Sequence, residues 1–267
     1  MQASGEPTFE VTVCRLHFTS RGPLYFAQGM PANGIRGFLG ASLFATPAYR
    51  RLFAPRNESG PSGFRDAPRP FVLRAAHLDG VTVDRGEPFY VDVHLFLPGS
   101  EVVDEVKSAF TRWARAELRE AAVKRVSICL NPPPASMSEL RVRFLTPTEL
   151  KSGAQIAVRP EFSVLFARAR DRVSALRAAY GNGPLEIDFT GMGERAAQVR
   201  MTACDVRHTS VERLSKGTGQ RHPVGGFTGF ATYIGEMGEF LPILRAAEWT
   251  GVGRQTVWGN GAVKLEG

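Results

Sequence analysis

The chain has 267 residues, 43% of them hydrophobic and 22% charged, which suits a packed globular protein and excludes a disordered or fibrous one. Its formal net charge is +7 and its isoelectric point about 9.7, a balance that suits a polyanionic partner. Cys14, Cys129 and Cys204 stand alone, with no C-x-x-C pair and no H-x-E or H-E-x-x-H motif, so neither a disulfide framework nor a zinc centre is expected. No metal or other cofactor is implied. Only five of the 33 cationic residues are lysine; arginine, the better phosphate fork and stacking residue, supplies the rest. The first residues form no signal peptide and no apolar run reaches the length of a membrane span, so a cytoplasmic protein without membrane contact is expected.

In chain order, Phe9 to Phe18 alternates and contains Val11 and Val13, a strand pattern. Asn33 can cap a helix beginning near Gly34, with Ile35, Phe38, Leu39 and Leu43 on one face and Pro47 ending it. Residues 56–70 read as a loop. Phe71 to Leu78 and Pro88 to Leu97 read as strands. Glu101 to Arg119 reads as an amphipathic helix, and Ala122 to Leu130 as a closing strand. Asn131 to Ser138 holds three consecutive prolines, which fit neither a helix nor a central strand and so make a stiff connector.

The second half repeats the order. Leu140 to Leu145 reads as a strand, Pro160 to Tyr180 as a long helix, Leu185 to Phe189 and Ala197 to Arg207 as strands. Phe240 to Trp249 reads as a short helix and Thr256 to Leu265 as the last strand. Two successive βαββαβ units predict an α+β protein of two tandem ferredoxin-like domains, residues 1–130 and 139–267, joined by the Pro-rich linker 131–138. The same arrangement builds the RNA-recognition fold, whose sheet and loops meet single-stranded RNA. It also carries unrelated functions.

Two segments carry chemical information. Gly251, Gly253, Gly259 and Gly261 flank Arg254 just before the last strand. Glycines at this density let backbone N–H groups approach an anion, while a plain glycine-rich connector is the other reading of the same residues. A dinucleotide fingerprint is excluded, because it needs strand, glycines and helix in that order. Upstream, His208 to His222 is polar and basic, with Arg213, Lys216 and Arg221 inside it and Arg207 beside it. It has the look of a hairpin arm that could hold RNA phosphates; a solvated charged loop is the alternative.

The stretches Gly225 to Leu244 and Trp249 to Gly261 resemble the end of the CRISPR precursor-RNA-processing endoribonucleases of the RAMP superfamily. The likeness extends through Phe144 to Lys151, Arg159 to Leu176 and Ala179 to Gly181. It continues more weakly at Gly34 to Gly40 and Arg69 to Leu73. The resemblance implies a cleft that binds CRISPR repeat RNA in precursor transcripts. It also implies a metal-independent cut by the adjacent 2′-hydroxyl, leaving 2′,3′-cyclic phosphate and 5′-hydroxyl ends. Such chemistry needs a base, an acid and a cation for the extra phosphate charge. Many family members carry a histidine on the first helix, but Gly29 to Phe53 contains none. The candidates for the catalytic roles are therefore His208, Lys216, His222 and Tyr25; His17, His77 and His94 read as structural. Arg36, Arg207, Arg213, Arg221, Arg254 and the four loop glycines are the expected RNA contacts. The competing reading is a non-catalytic RAMP subunit that holds guide RNA in a CRISPR effector complex. Monomer and homodimer are both open.

Overall fold

A computed structural model describes residues 7–55, 67–132, 136–214 and 221–267, with the backbone alone for 211–214 and 221–224. The first half runs β1 (Thr8–Ser20), β2 (Leu24–Tyr25), α1 (Pro31–Leu43), α2 (Pro47–Leu52), β3 (Phe71–Arg74), β4 (Thr82–Val83), β5 (Pro88–Leu95), α3 (Glu101–Thr111) and β6 (Ala116–Cys129). The second runs β7 (Glu139–Thr148), β8 (Lys151–Ser152), β9 (Gln155–Ile156), α4 (Phe162–Tyr180), α5 (Phe189–Ala196), β10 (Arg200–Leu214), β11 (Arg221–Ile234), α6 (Leu241–Thr250) and β12 (Val263–Glu266). The main sheets order β3-β5-β1-β6 and β10-β11-β7-β12, antiparallel throughout. Each half thus places its second strand beside its third, then the first, then the fourth. These are two ferredoxin-like units in tandem.

Alternation along β1 divides its side chains between two cores. Cys14, Leu16 and Phe18 join Ile35 and Leu39 of α1 and Val106 and Phe110 of α3. Phe9, Val11 and Val13 belong instead to a core containing Leu176 of α4 and Ile243, Leu244 and Ala247 of α6. The open face of the first sheet is therefore packed on helices of the second half, and the two halves share apolar burial. Among the described residues no helix is long and apolar enough to cross a membrane.

Several expected boundaries move. α1 starts at Pro31, not at an Asn33 cap, because proline's fixed φ suits the first helical turn. For the same reason Pro47 opens α2 instead of merely ending α1. The helix expected over Glu101 to Arg119 stops at Thr111; the chain turns through Trp113, and Ala116 onward pairs with β1 along the full sheet edge. Pairing with a long strand overrides local helix preference there. β3 ends at Arg74, and Ala76–Leu78 is a 3-10 turn. Leu185 to Phe189 is not a strand: Asp188 accepts a hydrogen bond from the Gly191 amide (2.9 Å) and starts α5. The missing strand is β11, whose glycines and Pro223 concealed it. Thr256–Trp258 is a 3-10 turn, and the last strand is only Val263–Glu266.

Candidate nucleic-acid interface

The glycine segment leaves α6 at Gly251 and folds back on itself. Val252 N–H donates to Gly261 O (2.9 Å), Arg254 N–H to Glu149 O (3.0 Å) and Gly261 N–H to Pro147 O (3.0 Å). Ala262 N–H donates to Thr146 Oγ1 (2.9 Å). Many loop amides are thus spent inside the protein, and the expected row of anion-binding N–H groups is largely internal wiring. The glycines serve close packing. A Cβ on Gly253 (φ +76°) would lie 2.2 Å from Glu149 O, and one on Gly261 (φ +69°) 2.0 Å from Val252 O.

The folded loop presses on the first half. A Cβ on Gly259 would come 2.7 Å from that of Ala32 in α1. The Arg36 guanidinium carbon lies 5.5 Å from the Trp258 ring centroid and 5.3 Å from that of Phe53. Arg36 therefore joins α1 to the loop through cation–π contacts, and Trp258 is packed and only half exposed. Arg254 is ion-paired with Glu149 (2.6 Å) while remaining largely exposed.

Behind the loop sits a buried cationic cluster that the sequence did not signal. Arg74 Nη2 donates to Glu248 O (3.1 Å) and Trp249 O (3.2 Å). His94 Nδ1 meets the same Trp249 oxygen at 3.0 Å, and Arg172 Nε donates to Thr250 O (2.9 Å). Three carbonyls at the end of α6 are thereby capped by side chains from β3, β5 and α4. Nη1 of Arg74 and Nη2 of Arg172 are shut off from solvent. Burial pushes Arg74 down to about 10, with Asp92 opposing. It pushes Arg172 down to about 9, helped by the Arg74 charge. His94 falls to about 4, by burial and then by Arg74.

In front of the loop is a cleft of about 220 Å³ between the halves. Gln28, Gly29 and Pro31 line it at the start of α1; Thr146, Gly259 and Asn260 line it from the loop side, and Thr209 and Thr228 from the hairpin of β10 and β11. α1 opens without a side-chain cap and without an acidic residue in its first turn, so the positive end of its dipole is left uncompensated there; Pro31 has no N–H, and Asn33 N–H is spent on Met30 O (3.1 Å). Asp79 holds Gly29 in place by accepting from its amide (2.6 Å). A proline just inside an uncapped helix start was the one readable signal for this wall.

The expected site residues do not all meet here. Gly259 lines the cleft, Gly251, Gly253, Gly261 and Arg254 build the loop beside it, and Arg36 packs on that loop from α1. Arg207 is exposed opposite Thr228. His208 is not at the cleft: it pairs with Phe227 on the helix-covered side, where its Nε2 meets Val158 O (2.9 Å). Strand alternation turns it away from its neighbours Arg207 and Thr209. Tyr25 is 60% exposed on the small β2–β4 ribbon, opposite Thr82. The backbones of Arg213, Arg221 and His222 extend the hairpin, with Arg213 opposite His222; their side chains, and Lys216 entirely, lie outside the described residues.

Residues 142–263, which supply one whole wall of this cleft, match the family profile described as CRISPR-associated endoribonuclease Cas6. That match spans a little less than half of the chain. Solved Cas6 structures share the fold along the whole chain. Thermus thermophilus Cas6 superposes with a TM-score of 0.63 at 17% identity, covering 98% of this chain and 100% of that one. A Cas6 product complex gives 0.61 at 18% identity, covering 97% and 100%. The Cas6-bearing chain of a partial Cas6-RT-Cas1–Cas2 complex gives 0.65 at 11% identity, covering 98% of this chain and 47% of that one. No curated protein matches the sequence. The Cas6 profile begins in β7 and ends in β12, so it contains the glycine loop and the hairpin but neither α1 nor the arginine behind the loop in β3.

Proposed function

We propose that this chain is an endoribonuclease that cuts CRISPR repeat RNA in precursor transcripts, with the scissile phosphate seated in the cleft between the start of α1 and the glycine loop. The observation that carries it is the meeting of an uncapped helix N-terminus with Gly259 and Asn260 of the stretch that matches the Cas6 profile. In this reading the neighbouring 2′-hydroxyl attacks phosphorus, the 5′-oxygen leaves, and the products carry 2′,3′-cyclic phosphate and 5′-hydroxyl ends without a metal ion. The positive end of the α1 dipole stabilises the added phosphate charge. The proton transfers are assigned to the arm, with His222 and Lys216 as donors and acceptors; its strands run into the cleft at Thr209 and Thr228. Arg207, Arg213 and Arg221 hold the RNA backbone, and Arg254 joins them by exchanging Glu149 for a phosphate.

One observation favours a second reading. No histidine or lysine is among the residues that line the described cleft, as expected of a subunit that holds guide RNA without cutting it. Repeat RNA from the same genome, incubated with the protein in excess EDTA, separates the two. Cutting that is lost with a 2′-deoxy residue at the cut establishes the cleavage reading. Tight binding with intact RNA establishes the guide-holding one.

A further inference from the structure

The halves share one topology but treat their open sheet faces differently. In the first half that face is covered, because Phe9, Val11, Val13, Val72 and Phe96 pack into the core with α4 and α6. In the second half it faces solvent. Arg141, Arg143 and Leu145 alternate outward from β7, while Leu140, Val142 and Phe144 are buried beneath. Arg207 and Asp205 are exposed on β10, opposite Thr228 and Phe230 of β11. The Arg141 guanidinium carbon stands 4.3 Å from the Phe230 ring centroid, and its Nε is held by Thr232 Oγ1 at 3.4 Å.

This pair occupies the two central strands, where a planar cation rests on an aromatic ring with its outer side in water. A base can stack on such a guanidinium plane. Arg141, Arg143 and Arg207 outweigh Asp205 and Glu266, and Glu266 is already bonded to Arg143 (2.8 Å). A duplex would use only the charge and leave the stacking pair idle, whereas a single strand uses both. The face is also continuous with the cleft, since Leu145 and Thr228 border both.

We propose that the open face of the second sheet is a platform for a single-stranded segment of the RNA flanking the cut, with Arg141 and Phe230 as the stacking pair and Arg143 and Arg207 as phosphate contacts. The proposal rests on the reading of the cleft as the RNA site.

The test compares three labelled RNAs on the full chain: a single-stranded oligoadenylate, a blunt hairpin, and the repeat with its flanks. R141A and the double variant R141A/F230L are measured beside the wild type; R141E, a surface charge reversal, guards against a fold defect in F230L. The expected result is a loss of about tenfold in oligoadenylate affinity for each variant, with a smaller loss for the hairpin. Equal losses on all three RNAs overturn the platform, as does no loss on any. A variant that keeps its RNA affinity but loses a homodimer in light scattering makes the face a protein contact and also overturns it. If the wild type binds none of the RNAs, the cleft reading falls first; if it binds and cuts the repeat but its variants keep oligoadenylate affinity, only the platform falls.

Discussion

Arg74 Nη2 donates to the carbonyl oxygen of Trp249 at 3.2 Å, across the boundary between the two halves. The bond ties the end of β3 to the helix end from which the glycine loop springs. The loop that faces the cleft is therefore set from behind by the first half, and the half that matches the Cas6 profile does not shape it alone.

Replacing Arg74 by Met removes a buried charge but orphans the carbonyls it caps. The second effect is expected to win, with a loss of about 1–3 kcal/mol in unfolding free energy. Guanidinium denaturation checks it. R74K keeps a donor and is expected to fall between the two; a fully stable R74M would mean that the carbonyls find other partners.

His94 adds a pH dependence. Its neutral ring must carry the proton on Nδ1 to donate to Trp249 O. Unfolded, the imidazole takes a second proton near its ordinary 6.5; folded, only near about 4, chiefly because burial disfavours the charged ring, with Arg74 and Lys124 also opposing protonation and the Trp249 carbonyl and Asp92 favouring it. Between those values the unfolded chain holds more protons, so stability is full above 6.5 and is lost as pH falls toward 4. The whole effect is about 3 kcal/mol. H94N keeps a donor in the Nδ1 position and is expected to flatten thermal stability across that window, while an unchanged acid slope would assign it to carboxylates.

Topology was more legible than its parts. The sequence pattern predicted βαββαβ twice, and both sheets have that order, although the second strand of the second half was sought at Leu185 to Phe189 and the third lies in the glycine-rich β11. Apolar spacing counts elements well, but it misses a strand whose glycines let another backbone approach. The loop and hairpin were visible as composition. Arg74, Arg172 and the far wall of the cleft were not, because their meaning comes from contacts between residues far apart in the chain. His208 looked promising by its neighbours in sequence, yet strand alternation turns it to the other face.

Gly253→Val is expected to disturb the loop itself, not only RNA binding. Its Cβ would meet Glu149 O at 2.2 Å, and its φ of +76° is strained for a β-branched residue. A loss of about 2 kcal/mol or more in stability should accompany any loss of affinity. Normal stability with abolished binding would show that the loop tolerates the side chain and that the ligand does not.

Glu149 competes with RNA for Arg254 in the proposed reading. Arg254 is largely exposed while Glu149 is mostly buried; E149Q keeps the size and polarity of the side chain, so both variants are expected to stay folded. E149Q frees the guanidinium and is expected to raise repeat-RNA affinity a few-fold, while R254A lowers it. If both leave affinity unchanged, Arg254 is a surface ion pair and no more.

The arm offers the sharpest electrostatic test. Arg213, Lys216 and Arg221 lie on or between the strands of the β10–β11 hairpin, and each phosphate they neutralise releases a condensed counterion. Removing all three charges is expected to weaken repeat-RNA binding and to flatten the slope of log affinity against log salt by about 2–3. A weakened affinity with an unchanged slope would mean that the arm acts through shape. An unchanged affinity and slope would remove the arm from the interface, and with it the assignment of proton transfer to His222 and Lys216.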